Sequence, residues 1–201
     1  MTNSPSEELS ALLRNLRSAG SFSTRRTAPI DDLVIDVEGV GELRLPVTVA
    51  QAKQLRLVAR PAKYGHGEQT ILDRRVRDTW EVPQSRVRID QRRWTRTLRP
   101  MLDSIRDDLA LNPSSTLTAQ LDSMLVYEAG QFFAPHQDSE KNDEMIGTLV
   151  VVLPSRSSGG DLVVEHREQS ASASPLAPTP NASNPGTVAS RTVRISSCRV
   201  Q

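Results

Sequence analysis

The chain predicts an α+β fold in which helices support a sandwich or barrel-like pair of sheets, followed by a disordered tail. Three observations carry that expectation. Apolar residues recur at helical spacing near the start and again across 90–110. Between 117 and 166 the texture changes to short strand-like runs separated by turn residues, the pattern of an all-β layer. After Glu168 no acidic residue remains and Ser, Ala, Pro, Thr and Asn dominate. Such a segment buries too little apolar surface to offset the entropy of ordering it.

The elements follow in order. Ser4 can cap a helix, Pro5 suits its first position and Glu7 completes a capping box. Leu9, Leu12, Leu13 and Leu16 then form one stripe, and Gly20 is a stop signal. A polar, basic linker runs to Pro29. Leu33–Val37 and Glu42–Pro46, split by Gly39 and Gly41, read as a hairpin. Thr48 with Gln51 repeats the capping-box spacing and starts a short helix to about Ala59, ended by Pro61. Lys63–Gly67, which contains His66, reads as a loop, and 70–73 and 77–82 as extended segments. Trp94, Leu98, Met101, Leu102, Ile105 and Leu109 mark a helix over roughly 90–110, with Pro100 inside it. Strands are expected at 117–127, 132–136, 147–153 and 161–166. The segment 168–190 reads as disordered, and Thr192–Ile195 as a weak strand that nothing anchors.

At 201 residues the chain can bury one ordinary core. A formal net charge of +1 gives no global attraction to nucleic acid or to a membrane surface. The single Cys198 excludes an internal disulfide framework and multi-Cys metal motifs, which points to a reducing compartment. The first residues carry neither a basic n-region nor an apolar h-region, and the longest apolar runs are far too short for a bilayer. The expectation is a cytoplasmic or nuclear protein without a membrane partner.

His136-Gln-Asp138 is the strongest chemical signal. In an extended strand, side chains two apart share a face, so an imidazole and a carboxylate at this spacing can grip one metal ion. Two histidines and one carboxylate on one face are the ligands of non-heme Fe(II) oxygenases. By spacing alone, a surface pair that binds no metal satisfies the same pattern.

Tyr127-Glu-Ala-Gly130, Phe132-Phe133, His136-Gln-Asp138, Gly147-Thr-Leu-Val-Val-Val-Leu-Pro154 and Gly159-Gly-Asp-Leu-Val-Val164 follow one another within residues 124–166. In this order they resemble the Fe(II)/2-oxoglutarate dioxygenases, in particular the prolyl-4-hydroxylase-like group. The resemblance implies a double-stranded β-helix, a jelly-roll or cupin-like core with N-terminal helices packed on it. It implies Fe(II) held by His136 and Asp138, 2-oxoglutarate contacted by Tyr127, ascorbate as a reductant and a small-molecule or peptidyl substrate. Ser139 could orient Asp138, and Phe132 and Phe133 divide between core and pocket wall. The chain then divides into an N-terminal helix and linker (1–30), a dioxygenase-like domain (31–167) and a low-complexity tail (168–201).

The family places a second metal-binding His beyond the Gly-Gly-x-Leu strand, and an Arg or Lys for 2-oxoglutarate after it. No His follows His166, and Arg191, Arg194 and Arg199 lie in the tail. The expected core is therefore incomplete, with unpaired edges, and turnover is expected to be impaired or lost. His166 is a weak substitute for the third ligand, and His66 a weaker one. Two other functions stand beside this one: a non-catalytic interaction protein built on the fold, and a nucleic-acid-binding module using the Arg-rich 74–99 stretch with Trp80 and Trp94. The near-neutral total charge argues against the second.

Overall fold

The computed structural model describes residues 20–29, 31–66, 69–138, 145–155, 159–166, 169–173 and 192–200. The expected helix over 4–16 lies outside them. The strands are β1 (Ile35–Val37), β2 (Gly41–Glu42), β3 (Arg60–Pro61), β4 (Tyr64–His66), β5 (Gln69–Ile71), β6 (Arg77–Asp78), β7 (Trp80–Pro83), β8 (Val87–Ile89), β9 (Leu117–Thr118), β10 (Ser123–Tyr127), β11 (Phe132–Phe133), β12 (Gly147–Leu153), β13 (Leu162–His166), β14 (Gln169–Ala173) and β15 (Thr192–Val200). Helix α1 spans Val49–Val58 and α2 spans Gln91–Asp108. The architecture is α+β, with mostly small antiparallel sheets.

Local signals set the helix ends. The Thr48 hydroxyl accepts from the Gln51 backbone N–H at 3.2 Å and caps α1. Asp90 caps α2 by accepting from the Arg92 and Arg93 N–H groups, each at 3.1 Å. Leu98 and Leu102 bury one face of α2 against Leu117 of β9, with Trp94, Ile105 and Leu149 around them. Thr97 and Arg96 tie α2 to Asp32. At its far end the linker crosses so closely that a side chain on Gly20 would meet the Leu109 carbonyl oxygen at 2.2 Å.

A six-stranded sheet, with β12, β15, β10, β7 and β3 side by side and β9 beside β15, carries the main core. Strand alternation turns Met124 and Val126 of β10, Trp80 and Val82 of β7 and Leu153 of β12 to one side. There they meet Leu55 and Ala52 of α1 and Ile35, Val37 and Val87 of a second sheet, ordered β2-β1-β8. The expected hairpin over 33–46 is present in shorter form, with Val37 opposite Gly41.

Several expectations are corrected. The predicted loop at 63–67 contains β4, which pairs with β5 so that His66 stands opposite Gln69. The predicted strand 117–127 is two strands, β9 and β10, with a break between them. The tail is not uniformly without structure. Gln169–Ala173 pairs with β13, and Thr192–Val200 pairs with both β10 and β12. The expected free edges of β10 and β12 are thus occupied by β15. Its register places Val193 opposite Val126 and Leu153, and Ile195 opposite Met124 and Val151. Arg194, set aside with the tail, stands in the row of Leu125 and Val152. For Thr192–Val200 the cause is non-local: its partners lie far away in sequence, where composition cannot register them; Gln169–Ala173 instead closes a local hairpin on β13. Residues 174–191 lie outside the described residues. Among the described residues no helix is long and apolar enough to cross a membrane.

Leu55 is 0% exposed at the centre of the core and Leu57, two residues on, is 80% exposed. Leu55→Ala is expected to lower unfolding free energy by about 2–5 kcal/mol, and Leu57→Ala to change it by less than about 0.5 kcal/mol. Urea denaturation of the two variants measures both, and equal effects would refute this packing.

Candidate metal centre

The approach to His136 begins at the end of β10. After Tyr127 the chain turns through Glu128–Gln131, with Gly130 at φ +79°, a left-handed conformation that favours glycine. The Gln131 N–H donates to the Glu128 carbonyl at 3.1 Å and the Gln131 side-chain oxygen accepts from the Glu128 N–H at 2.8 Å. Strand β11 then pairs with β6, Phe132 opposite Asp78 and Phe133 opposite Arg77, and the Ala134 N–H donates to the Val76 carbonyl at 2.8 Å. The expected strand 132–136 stops at Phe133 because Pro135 has no N–H to continue a ladder. His136 and Asp138 therefore lie in the irregular segment that follows.

They nevertheless come together. His136 Nε2 lies 3.3 Å from Asp138 Oδ1. The Ala134 carbonyl, 2.8 Å from Nδ1, accepts the proton there, which turns Nε2 towards the carboxylate. The imidazole stacks on the Phe133 ring, with centroids 3.4 Å apart at 17°. Asp138 Oδ2 accepts from the Thr148 hydroxyl of β12 at 2.6 Å. Each group is oriented through one atom, and the remaining atoms, Nε2 and Oδ1, face each other as an ion pair. Two donors on adjacent positions of one ion, with bonds near 2.1 Å, stand about 3 Å apart, so a shared metal would need little change in this separation.

The charges are coupled. Hydrogen bonding from His136, against the cost of burial and with help from Thr148, holds Asp138 down to about 2. Burial works against the His136 imidazolium. The hydrogen bonds to Asp138 and to the Ala134 carbonyl outweigh it and hold His136 above its usual 6.5, while Arg77 opposes them.

Among the described residues no three His, Cys, Asp or Glu side chains cluster closely enough to share a metal ion. His166 ends β13 and stacks on Phe22 with centroids 5.8 Å apart. His66 ends β4. His166 does not join the pair.

Other expected roles divide. Ser139 lies outside the described residues, and Thr148 has the orienting contact expected of Ser139. Its signal was a lone hydroxyl in the apolar run 147–153. Phe133 lines the pair, whereas Phe132 is 45% exposed and belongs to no core. Tyr127 is half-buried on the Leu125 face of β10. In β12, Leu149 and Val151 face the helices and core, and Val150 and Val152 lie in the register rows of Ser123 and Leu125; the register shifts between Gly147 and Val150, so alternation does not set the side of Thr148.

Four arginines of the 74–99 stretch are engaged in local pairs. Arg74 holds Asp78 and Arg75 holds Asp73, each at 2.7 Å, Arg93 lies 3.8 Å from Asp90, and Arg96 holds Asp32. Trp80 is buried, donates to Glu128 at 3.1 Å and carries the Arg56 guanidinium 3.5 Å above its ring. That aromatic is not offered to a base.

Compared with protein-family models, curated proteins and solved structures, the chain matches none.

The titrations set a pH window. The His136 contribution to folded stability is complete below its unfolded value and disappears as pH rises through the raised folded one. That of Asp138 is complete above its unfolded value and disappears as pH falls through about 2. A metal must displace the imidazole proton. Mn(II) affinity, followed by calorimetry, is therefore expected to rise at least about tenfold between pH 5.5 and 8, and Thr148→Val to lower it about 10- to 100-fold. A flat pH profile would refute imidazole ligation.

Proposed function

We propose that this chain is an Fe(II)/2-oxoglutarate dioxygenase-like protein of the prolyl-4-hydroxylase-like group, with a metal site reduced to two protein ligands and turnover impaired or lost. The observation that carries this reading is the 3.3 Å approach of His136 Nε2 to Asp138 Oδ1, each oriented through its other atom by Ala134 or Thr148. Support for the double-stranded β-helix is architectural. A sheet is backed by helices on one side, and the β13–β14 hairpin follows in the motif order that the resemblance implies.

The residues divide the work. His136 and Asp138 hold the metal, Thr148 and the Ala134 carbonyl orient them, and Phe133 walls the imidazole. Fe(II) with 2-oxoglutarate, when bound, supplies hydroxylation of an unactivated C–H bond in a small molecule or peptidyl side chain, with ascorbate as the family's customary reductant. Tyr127, at the end of β10, would contact the 2-oxoglutarate. Two protein ligands leave a metal weakly held and exchangeable, because the remaining positions depend on water or co-substrate.

Succinate release tests the reading. Purified chain with Fe(II), O₂, ascorbate and 2-oxoglutarate is expected to yield succinate at no more than a trace above the His136→Ala background. Sustained succinate production, lost in His136→Ala, would overturn the impaired-site reading. Identical metal affinity in wild type and His136→Ala would overturn the assignment itself.

A further inference from the structure

Among the described residues the apolar core falls into two clusters with a seam between them. The cluster under α1 is bordered there by Val87, Ile89, Leu121 and Val151, and the cluster under α2 by Trp94, Ala119 and Leu149. Leu149 and Val151 are two residues apart on β12, and Ala119 and Leu121 two apart before β10, yet each pair divides between the clusters. Along this seam runs a cleft of about 470 Å³.

Protein interiors are close-packed, so an opening of this volume between two core clusters is not ordinary packing, and it has the size of a small-molecule site. Apart from buried Val87, the apolar side chains along it are only half-buried. Exposed Gln84, Ser85, Gln91 and Gln120 form its rim, and none of the described side chains lining it carries a charge. The two tryptophans differ accordingly. Trp80 donates its indole N–H to Glu128, whereas Trp94, which lines the cleft, has no hydrogen-bond acceptor among the described residues. The rim side chains likewise make no hydrogen bond among the described residues.

These walls set the ligand class. An ion entering the cleft would lose hydration without gaining a counter-charge, so the ligand is neutral. Trp94 offers an aromatic face for offset stacking. Each glutamine presents one carbonyl acceptor and two N–H donors, the complement of a carboxamide. We propose that the seam cleft binds a neutral, planar aromatic molecule bearing a carboxamide-like group, its ring against Trp94 and its amide at the glutamine rim. The cleft shares no residue with the metal pair or its supports, so this ligand does not depend on the metal.

Calorimetric titration of the intact chain with 2-naphthamide tests this, with the anion 2-naphthoate at neutral pH as the control of equal shape. Naphthamide is expected to bind and naphthoate to bind at least about tenfold more weakly. Trp94→Leu should weaken naphthamide at least about tenfold, and Gln84→Ala and Gln120→Ala each about three- to tenfold. Both glutamines are exposed, so their variants decide the matter if Trp94→Leu fails to melt cooperatively. Indifference of the wild type to naphthamide, equal or tighter binding of naphthoate, or unchanged naphthamide affinity in folded Trp94→Leu or in both glutamine variants would overturn the proposal. Binding that appears only after Leu12→Ser and Leu16→Ser would make the chain's own leucine stripe the occupant and would overturn it as well.

Discussion

The candidate centre depends on Asp138 being held from two sides at once. His136 reaches Oδ1 from the segment after β11, and Thr148 reaches Oδ2 from the start of β12. The side chain is half exposed, so neither contact is strong by burial. Their value is geometric. One contact fixes the carboxylate plane and the other brings the imidazole beside it. Pro135 contributes by ending the β11–β6 ladder, which frees three residues to bend back onto the Phe133 ring.

That geometry is transmitted to the core through β12. Its Leu153 is buried against Val126, Leu55 and their neighbours, while its other end carries Thr148. Strand β15 lies between β10 and β12 and pairs with both. Without it, two rows of backbone donors and acceptors would stand unpaired beside the most deeply buried residues of the chain. A nine-residue strand at the end of a low-complexity segment thus joins β12 to the rest of the sheet.

What the sequence made legible was local. Thr48 with Gln51, the apolar spacing from Trp94 to Ile105, and the run 147–153 each encode an element within a few residues, and each element is present. His136 and Asp138 were legible because two residues of separation bring their side chains close even outside a strand. What failed for β15 was non-local, since its partners are β10 and β12. Composition also hid β14, although its partner β13 is its neighbour in sequence. The orienting hydroxyl was sought next to Asp138 in sequence, at Ser139, and was found ten residues away on Thr148. Phe132 and Phe133 look alike in sequence, and only the pairing with β6 decides which of them reaches the imidazole.

The most direct measurement is a count of ferrous ions bound per chain under anaerobic conditions, for the intact protein and for the His136→Ala, Asp138→Ala double variant. The account predicts one weakly held ion per intact chain and none for the variant, with both proteins equally folded by circular dichroism. Retention of the ion by the variant, or its absence from the intact chain, would contradict it.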